Sequence, residues 1–392
     1  MAGQYSHKQF FRRVGNAYLA QYFERHDLDI SLEFAETSET DSELIFTAFR
    51  HLDEDLQARA EADFQNVDAL ATDAGITALV DESAYHNDSH FSVEIAAIEG
   101  MHNKAMWAYL DRNHYWLGAT RFLHADNVSF SYWRKRHIPA NTVPHVETAD
   151  IKLLEQAIST YFYQKEARGK NCKVEVYQRY NKEYFFAYPE DFARSGVEWI
   201  KNQLSTESRH PAFEIIFVYC EDEGSLDIYA PRNTKAVPAL QNIFADTILK
   251  IDKLEENKKD DRVYDLNPIK SPTFEFEIEP DCGVVDIIVT QLRVLLRNGE
   301  QGRSITVKAN ATKDSQAVFK LLESLNLPPY FVTQVSMKAI LETPAGERAK
   351  SKPVTITYPN GCGLSHSGID LTIRNILAKS GIEPKPAEQG NE

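Results

Sequence analysis

Past residue 170 one pattern recurs four times: an alternating run, a turn, a second alternating run, then apolar residues at helical spacing. The first copy is "CKVEVYQRYNKEYFFAYPED" followed by "FARSGVEWIKNQL". In it Tyr184, Phe186 and Tyr188 alternate against Phe185 and Ala187, and Phe192, Gly196, Ile200 and Leu204 would line a helix. The second is "FEIIFVYCEDEGSLDIYA" with "KAVPALQNIFADTILKI", where Gly224 closes an acidic turn and Pro238 suits a first helical turn. The third is "VVDIIVTQLRVLLRNGEQGRSITVKANA" with "DSQAVFKLLESL", and the fourth is "VTQVSMKAILETPAGERAKSKPVTITYP" with "GIDLTIRNILAKSG".

Such a pattern leaves few folds open. Each hairpin has an apolar face to bury, and the helix that follows is the nearest apolar surface. The expectation is an α+β protein in which an all-helical N-terminal domain is followed by four ββα units forming antiparallel sheets backed by helices. The units group as two pairs, each making a four-stranded sheet. The charged stretch "DKLEENKKDDR", with Pro268 and Pro272 after it, separates them. The domains then run 1–169 (helical and acidic), 170–260 (first ββα pair) and 261–392 (second ββα pair).

The front of the chain reads as helices. Phe11, Val14, Tyr18 and Tyr22 recur at helical spacing, with Gly15 and Asn16 weakening the middle. Thr40 and Glu43 fit a capping box ahead of Ile45, Phe49, Leu52 and Leu56, and Gly75 is a plausible stop. Phe91, Ile95, Ile98, His102, Ala105 and Tyr109 share a face of a third helix, where His102 suits a hydrogen-bonded core histidine. "TADIKLLEQAISTYFYQKEARGK" supplies a last helix, ended by Gly169.

Charge is unevenly spread. The net charge is −15, and Glu24–Glu82 alone holds 17 acids against three bases, a balance of 3 − 17 = −14. Val284–Tyr358 holds ten bases and six acids, or +4. An acidic front repels nucleic acid, and a basic back can attract it. No apolar run approaches the ~20 residues that cross a bilayer, and the N-terminus lacks the apolar core of a signal peptide, so no membrane partner and a cytoplasmic protein are expected. The four cysteines are far apart and contain no C-x-x-C pair, which argues for reduced thiols rather than a zinc ribbon or disulfide framework.

Three places carry candidate chemistry. In the third and fourth copies, alternation puts Arg293, Arg297, Lys308 and Lys338 on the face opposite the apolar one, with Arg303, Arg348, Lys350 and Lys352 near the turns. Such a surface can track phosphates, although a half-exposed sheet is ordinarily polar outside. Within Arg121–His137, Phe130, Tyr132 and Trp133 are interleaved with Arg134, Lys135 and Arg136, a combination that suits single-stranded nucleic acid or, equally, a buried aromatic cluster with a basic edge. Third, "YPNGCGLSHSG" joins a strand to a helix. Its Asn360, Gly361, Gly363, Ser365 and His366 form a candidate anion-binding loop, but the glycine spacing is not G-x-G-x-x-G and the serine motif is not a nucleophile elbow.

His86 and His90 have i, i+4 spacing, with His114 further on, yet a metal site needs three or four convergent ligands and none is expected. No cofactor fingerprint is present, and none is expected. With no catalytic motif, the expected function is a non-catalytic macromolecular binding or scaffold protein with a protein partner, within a larger assembly. The alternatives are a nucleic-acid-binding protein using the basic sheet and Arg121–His137, and an enzyme with a dispersed histidine-containing site.

Overall fold

The computed structural model describes residues 5–39, 41–200, 203–254, 263–297, 302–311, 313–344, 346 and 349–383. The protein is α+β and divides into two compact units, Met1–Asn127 and Val128–Glu392.

The first unit is helical: α1 (His7–Arg13), α2 (Asn16–Arg25), α3 (Ser42–Phe49), α4 (Glu54–Leu70), α5 (Asp73–Tyr85), α6 (Phe91–Ala97), α7 (Met101–Asp111) and α8 (Trp116–Asn127). Phe10, Phe11, Phe49 and Phe64 are fully buried, and Phe10 stacks on Phe64 at 4.8 Å. Sequence periodicity overestimates helix length here. The expected first helix breaks between Arg13 and Asn16, and the expected third breaks before Gly100, whose φ of 85° favours glycine. Gly75 starts a helix rather than stopping one. Its amide donates to the Thr72 hydroxyl at 3.0 Å, and a Cβ there would lie 2.3 Å from the Leu70 carbonyl oxygen. Thr40 lies outside the described residues; Asp41 caps α3 by accepting from the Leu44 amide at 3.0 Å. His102 is held as expected, 2.9 Å from the Asp68 carboxylate.

The second unit holds two five-stranded antiparallel sheets and a separate hairpin. Its elements are β1 (Trp133–His137), α9 (Thr148–Glu166), β2 (Cys172–Arg179), β3 (Lys182–Pro189), β4 (Arg194–Ile200), β5 (Gln203–Arg209), β6 (Ile215–Cys220), β7 (Ser225–Tyr229) and α10 (Val237–Thr247), then β8 (Val284–Leu296), β9 (Ser304–Lys308), α11 (Ala317–Ser324), β10 (Tyr330–Leu341), β11 (Ser351–Thr357), β12 (Gly361–Cys362) and α12 (Gly368–Lys379). The first sheet has the order β1-β7-β6-β3-β2, and the second β12-β11-β10-β8-β9.

The third and fourth copies form hairpin–helix units as the sequence predicts. Their first strands, β8 and β10, pair at the centre, and α11 and α12 cover one face through Val318, Leu322, Ile373, Ile376 and Leu377. The first copy does not. Residues 192–204 are expected as a helix; instead Arg194–Ile200 and Gln203–Arg209 pair as the hairpin β4–β5. The alternation Val197, Trp199, then Leu204, Thr206 puts those four side chains on one face by cross-strand pairing, and that period of two wins over the weaker helical spacing. The first sheet is therefore backed by α10 and by α9, the helix that the sequence reading grouped with the N-terminal domain. Leu154, Ile158 and Phe162 of α9 are fully buried in its core. Each sheet also gains a fifth strand that periodicity did not reveal: β1, five residues long, and β12, two residues long.

Candidate nucleic-acid interface

The helices cover only one face of the second sheet. Cross-strand pairs share a face, so the register reads off the other face in rows. The first row is Phe331, Leu295 and Ser304; the second Gln334, Arg293, Thr306 and Thr357; the third Ser336, Gln291, Lys308 and Thr355; the fourth Lys338, Ile288 and Pro353; the fifth Ile340, Asp286 and Ser351. Arg297 joins the first row by laying its guanidinium 4.0 Å from the Phe331 ring centroid.

The arrangement places one cation in each of four consecutive rows: Arg297, Arg293, Lys308 and Lys338. Rows in a strand follow at about 7 Å, twice the rise per residue. None of the four pairs with a carboxylate among the described residues, and Asp286, in the fifth row, is the acid these rows contain. The remaining polar side chains are neutral donors and acceptors, and Leu295, Ile288, Pro353 and Ile340 are apolar. Gln334 Nε2 donates to the Thr357 hydroxyl at 3.0 Å, the Ser336 and Thr355 hydroxyls are 3.3 Å apart, and Arg293 reaches the Ser304 hydroxyl at 3.5 Å. Phe331 is 38% exposed, so an aromatic face borders the cations.

Lys270 belongs with this face and was not found from sequence. Its Nζ donates to the Tyr330 carbonyl at 2.5 Å and lies 5.6 Å from the Phe331 ring centroid. Partial burial, and then the nearby Arg297, lower its pKa. It comes from the Pro268–Lys270 turn, where no periodicity signals a face.

The other predicted residues at the turns divide. Arg303 is exposed just before β9, and Lys350 stands beside Ser351 at one end of the open face. Lys352 is turned to the helix-covered side, where its Nζ lies 2.9 Å from the buried Asp370 carboxylate. Arg348 lies outside the described residues.

The basic–aromatic segment is not an open surface. Trp133 is 6% exposed and packs edge-on against His366. Arg134 turns back to the Ser131 and Trp133 carbonyls at 2.9 and 2.7 Å, and Arg136 reaches Gln241 at 3.3 Å. Lys135, expected on a basic edge, is 4% exposed inside an ionic cluster: it pairs with Glu383 and lies 3.5 Å from Glu223, which also takes Lys182 at 3.0 Å. The sequence misleads because β1 is an edge strand whose backbone continues into the glycine loop, the Lys135 amide donating to the Asn360 carbonyl at 3.0 Å. Lys135 thereby lands opposite Asp227, on the interior side.

The glycine loop lies between the sheets and is not an anion cradle. Gly363 donates its amide to the Thr355 carbonyl at 2.8 Å, and Ser365 donates its amide to Asp370 at 2.9 Å, so amides that would meet an anion are already engaged. A Cβ on Gly363 would lie 3.1 Å from the Thr355 carbonyl and 3.3 Å from the Phe130 ring, and Gly361 pairs with Thr357 in β11. His366 is 5% exposed. Burial, and then Arg374, Lys182, Lys135 and Arg179, push its pKa well below the usual value, so the imidazole is neutral and its 3.6 Å approach to Asp227 is no ion pair at neutral pH. Burial also raises Asp227, against Arg374 and Lys135. Burial pushes Glu223 up, but Lys135 and Lys182 outweigh it and hold it at about 2. Arg374 donates to the Ser365 and Leu364 carbonyls at 3.1 and 2.7 Å, fixing the loop to α12. The cluster joins the two sheets through charge, beside the Trp133–His366 ring contact and the Lys135–Asn360 backbone bond.

The histidines in the first unit do not converge. His86 lies 3.2 Å from Glu82, and His90 and His114 are exposed. Among the described residues no three His, Cys, Asp or Glu side chains are placed to hold a metal, and no helix is long and apolar enough to cross a membrane. Comparison with protein-family models, with curated proteins and with solved structures yields no match.

Proposed function

We propose that the protein is a non-catalytic binding protein whose macromolecular ligand is single-stranded nucleic acid, held on the open face of the second sheet. The observation that carries this reading is the ladder Arg297, Arg293, Lys308, Lys338, one cation per row on an uncovered face, in a chain whose net charge is −15. Cations at regular steps match a phosphate backbone, and Phe331 offers a face on which a base stacks. The acidic charge elsewhere would repel the same ligand and confine it to this face.

Fluorescence anisotropy with a labelled oligo(dT) tests it. Engaging all four cations gives a slope of log affinity against log salt near −3, from about −0.7 per contact on a single strand. Arg293→Glu with Lys308→Glu should weaken binding by at least about a hundredfold at low salt and flatten the slope by more than ~1. Unchanged affinity and slope in that variant would remove the site.

A second reading, a component of a larger assembly, is favoured by the β4–β5 hairpin. Val197, Trp199 and Leu204 are 67%, 74% and 61% exposed on a face whose other members are Ser195, Thr206 and Ser208, with no charge among them. An isolated two-stranded hairpin is marginally stable in water, so an apolar face of this kind suits a protein partner. Mass measurement of complexes isolated with the native protein and with Trp199→Asp tests this; identical composition would count against it.

A further inference from the structure

The open face ends in a trough of about 780 Å³ lined by Ile288, Thr290, Lys308, Lys338, Ile340 and Ser351, together with Ala309–Ala311 and Ala349–Lys350. It crosses four of the five strands, from Ser351 on β11 through Ile340 and Lys338 on β10 and Ile288 on β8 to Lys308 on β9. Its volume falls within the range of ~300–1,000 Å³ typical of small-molecule sites. The trough has a physical origin in bulged pairing. Register shifts fall at Ser336/Met337 and Ile340/Leu341, beside its floor, and bulges bend the strands that carry them.

The lining combines two chemistries. Ile288, Ile340, Ala309, Ala311 and Ala349 supply aliphatic surface, while Lys308 and Lys338 are the ladder cations that line it and Ser351 adds a hydroxyl. Inorganic phosphate alone would leave the aliphatic floor unused, and an apolar ligand would desolvate Lys308 and Lys338 without compensation. A planar, largely apolar ring carrying a phosphate satisfies both parts.

We propose that this trough is a nucleotide subsite: it holds one base against Ile288 and Ile340, with the attached phosphate on Lys308 and Lys338. The inference rests on the reading of the open face as a nucleic-acid track, and it adds where the track ends. Lys308 and Lys338 are the last two cations of the ladder and belong to both, so a strand lying along the rows would deliver its terminal or unstacked nucleotide here.

Calorimetric titration with adenosine 5′-monophosphate, with inorganic phosphate as the comparison, tests it on the full chain. The monophosphate should bind saturably in about the millimolar range or tighter, at least about tenfold more tightly than phosphate. Ala349→Trp fills the trough without removing a charge, and Ile340→Glu makes its floor acidic; each should weaken the nucleotide by about tenfold or more. Melting curves confirm that each variant is folded. If oligo(dT) binds and the mononucleotide does not, and Ala349→Trp leaves oligo(dT) affinity unchanged, the subsite is overturned while the track stands. If phosphate binds as tightly as the mononucleotide, the base-holding floor is overturned. If neither oligo(dT) nor mononucleotide binds, the track and the subsite fall together.

Discussion

Thr290 and Thr333 occupy the same place in two paired strands. Each is the extra residue at a register shift, Thr290 in β8 and Thr333 in β10. Each donates its hydroxyl to a carbonyl of the other strand, Thr290 to Ser336 at 3.0 Å and Thr333 to Arg293 at 3.2 Å. The offsets agree, since 333 − 290 and 336 − 293 are both 43. Both threonines stand within the same three residues, Val-Thr-Gln, at 289–291 and 332–334. The two hydroxyls therefore satisfy equivalent carbonyls on either side of an approximate two-fold axis through the β8–β10 pair. The bulges curve the sheet on which the cation ladder stands.

Replacing either threonine by valine removes one hydrogen bond and keeps the β-branched shape. Each change should cost about 1 kcal/mol, the net worth of an ordinary bond, measured by urea unfolding. Equal costs at the two positions are expected from the matching geometry. A cost at one position alone would show that the second bulge is held by other contacts.

The ionic cluster between the sheets predicts a large single-site effect. Lys135→Met keeps most of the side-chain volume but leaves Glu383, itself 8% exposed, without its buried partner. Breaking a buried pair in this way costs about 3–5 kcal/mol, read as a fall in the urea midpoint. A shift below about 1 kcal/mol would place the pair in the class of solvent-screened bridges.

Stability should decline with acid in two stages. His366 has a folded pKa depressed below its ordinary 6.5 by burial and by Arg374, so below pH 6.5 the unfolded chain takes a proton that the folded one refuses. Its stabilisation is complete above that pH and is lost on going down. Glu223, held at about 2 against an ordinary 4.5, adds a loss between those values, discounted because its side chain is 46% exposed. Unfolding midpoints measured from pH 8 to pH 2 check this. His366→Leu should flatten the upper stage, and an unchanged profile in that variant would assign the stage elsewhere.

The β4–β5 hairpin predicts the opposite of a core. Trp199→Ser and Val197→Ser remove two large apolar side chains that are 74% and 67% exposed, so global stability should change by no more than about 0.5 kcal/mol. Differential scanning calorimetry reads the result. A loss of several kcal/mol would mean that the hairpin packs against something in the chain.

How legible the molecule was depended on which force set each element. The second sheet was readable because Leu292, Val294, Val335 and Met337 alternate with polar residues over long strands, and Arg293, Lys308 and Lys338 fell on the predicted face. The first sheet was less so. Ile215–Cys220 and Ser225–Tyr229 are buried on both faces, which removes alternation as a guide. Residues 194–209 carried apolar residues compatible with either period, and the hairpin pairing decided between them. Trp133–His137 reads as a basic patch in sequence, and only its pairing with β7 sends Lys135 inward to Asp227. The Val-Thr-Gln recurrence was in plain view and could have located both bulges. Lys270 offered no such signal, because a turn between prolines assigns no face.

Photo-crosslinking of oligo(dT), followed by peptide mapping, tests the central claim most directly. The account predicts crosslinks at Phe331, in the peptide spanning β10, and their loss with Arg293→Glu plus Lys308→Glu. Crosslinks confined to Phe130–Trp133 or to the helical unit before Val128, and persisting in that double variant, would contradict it.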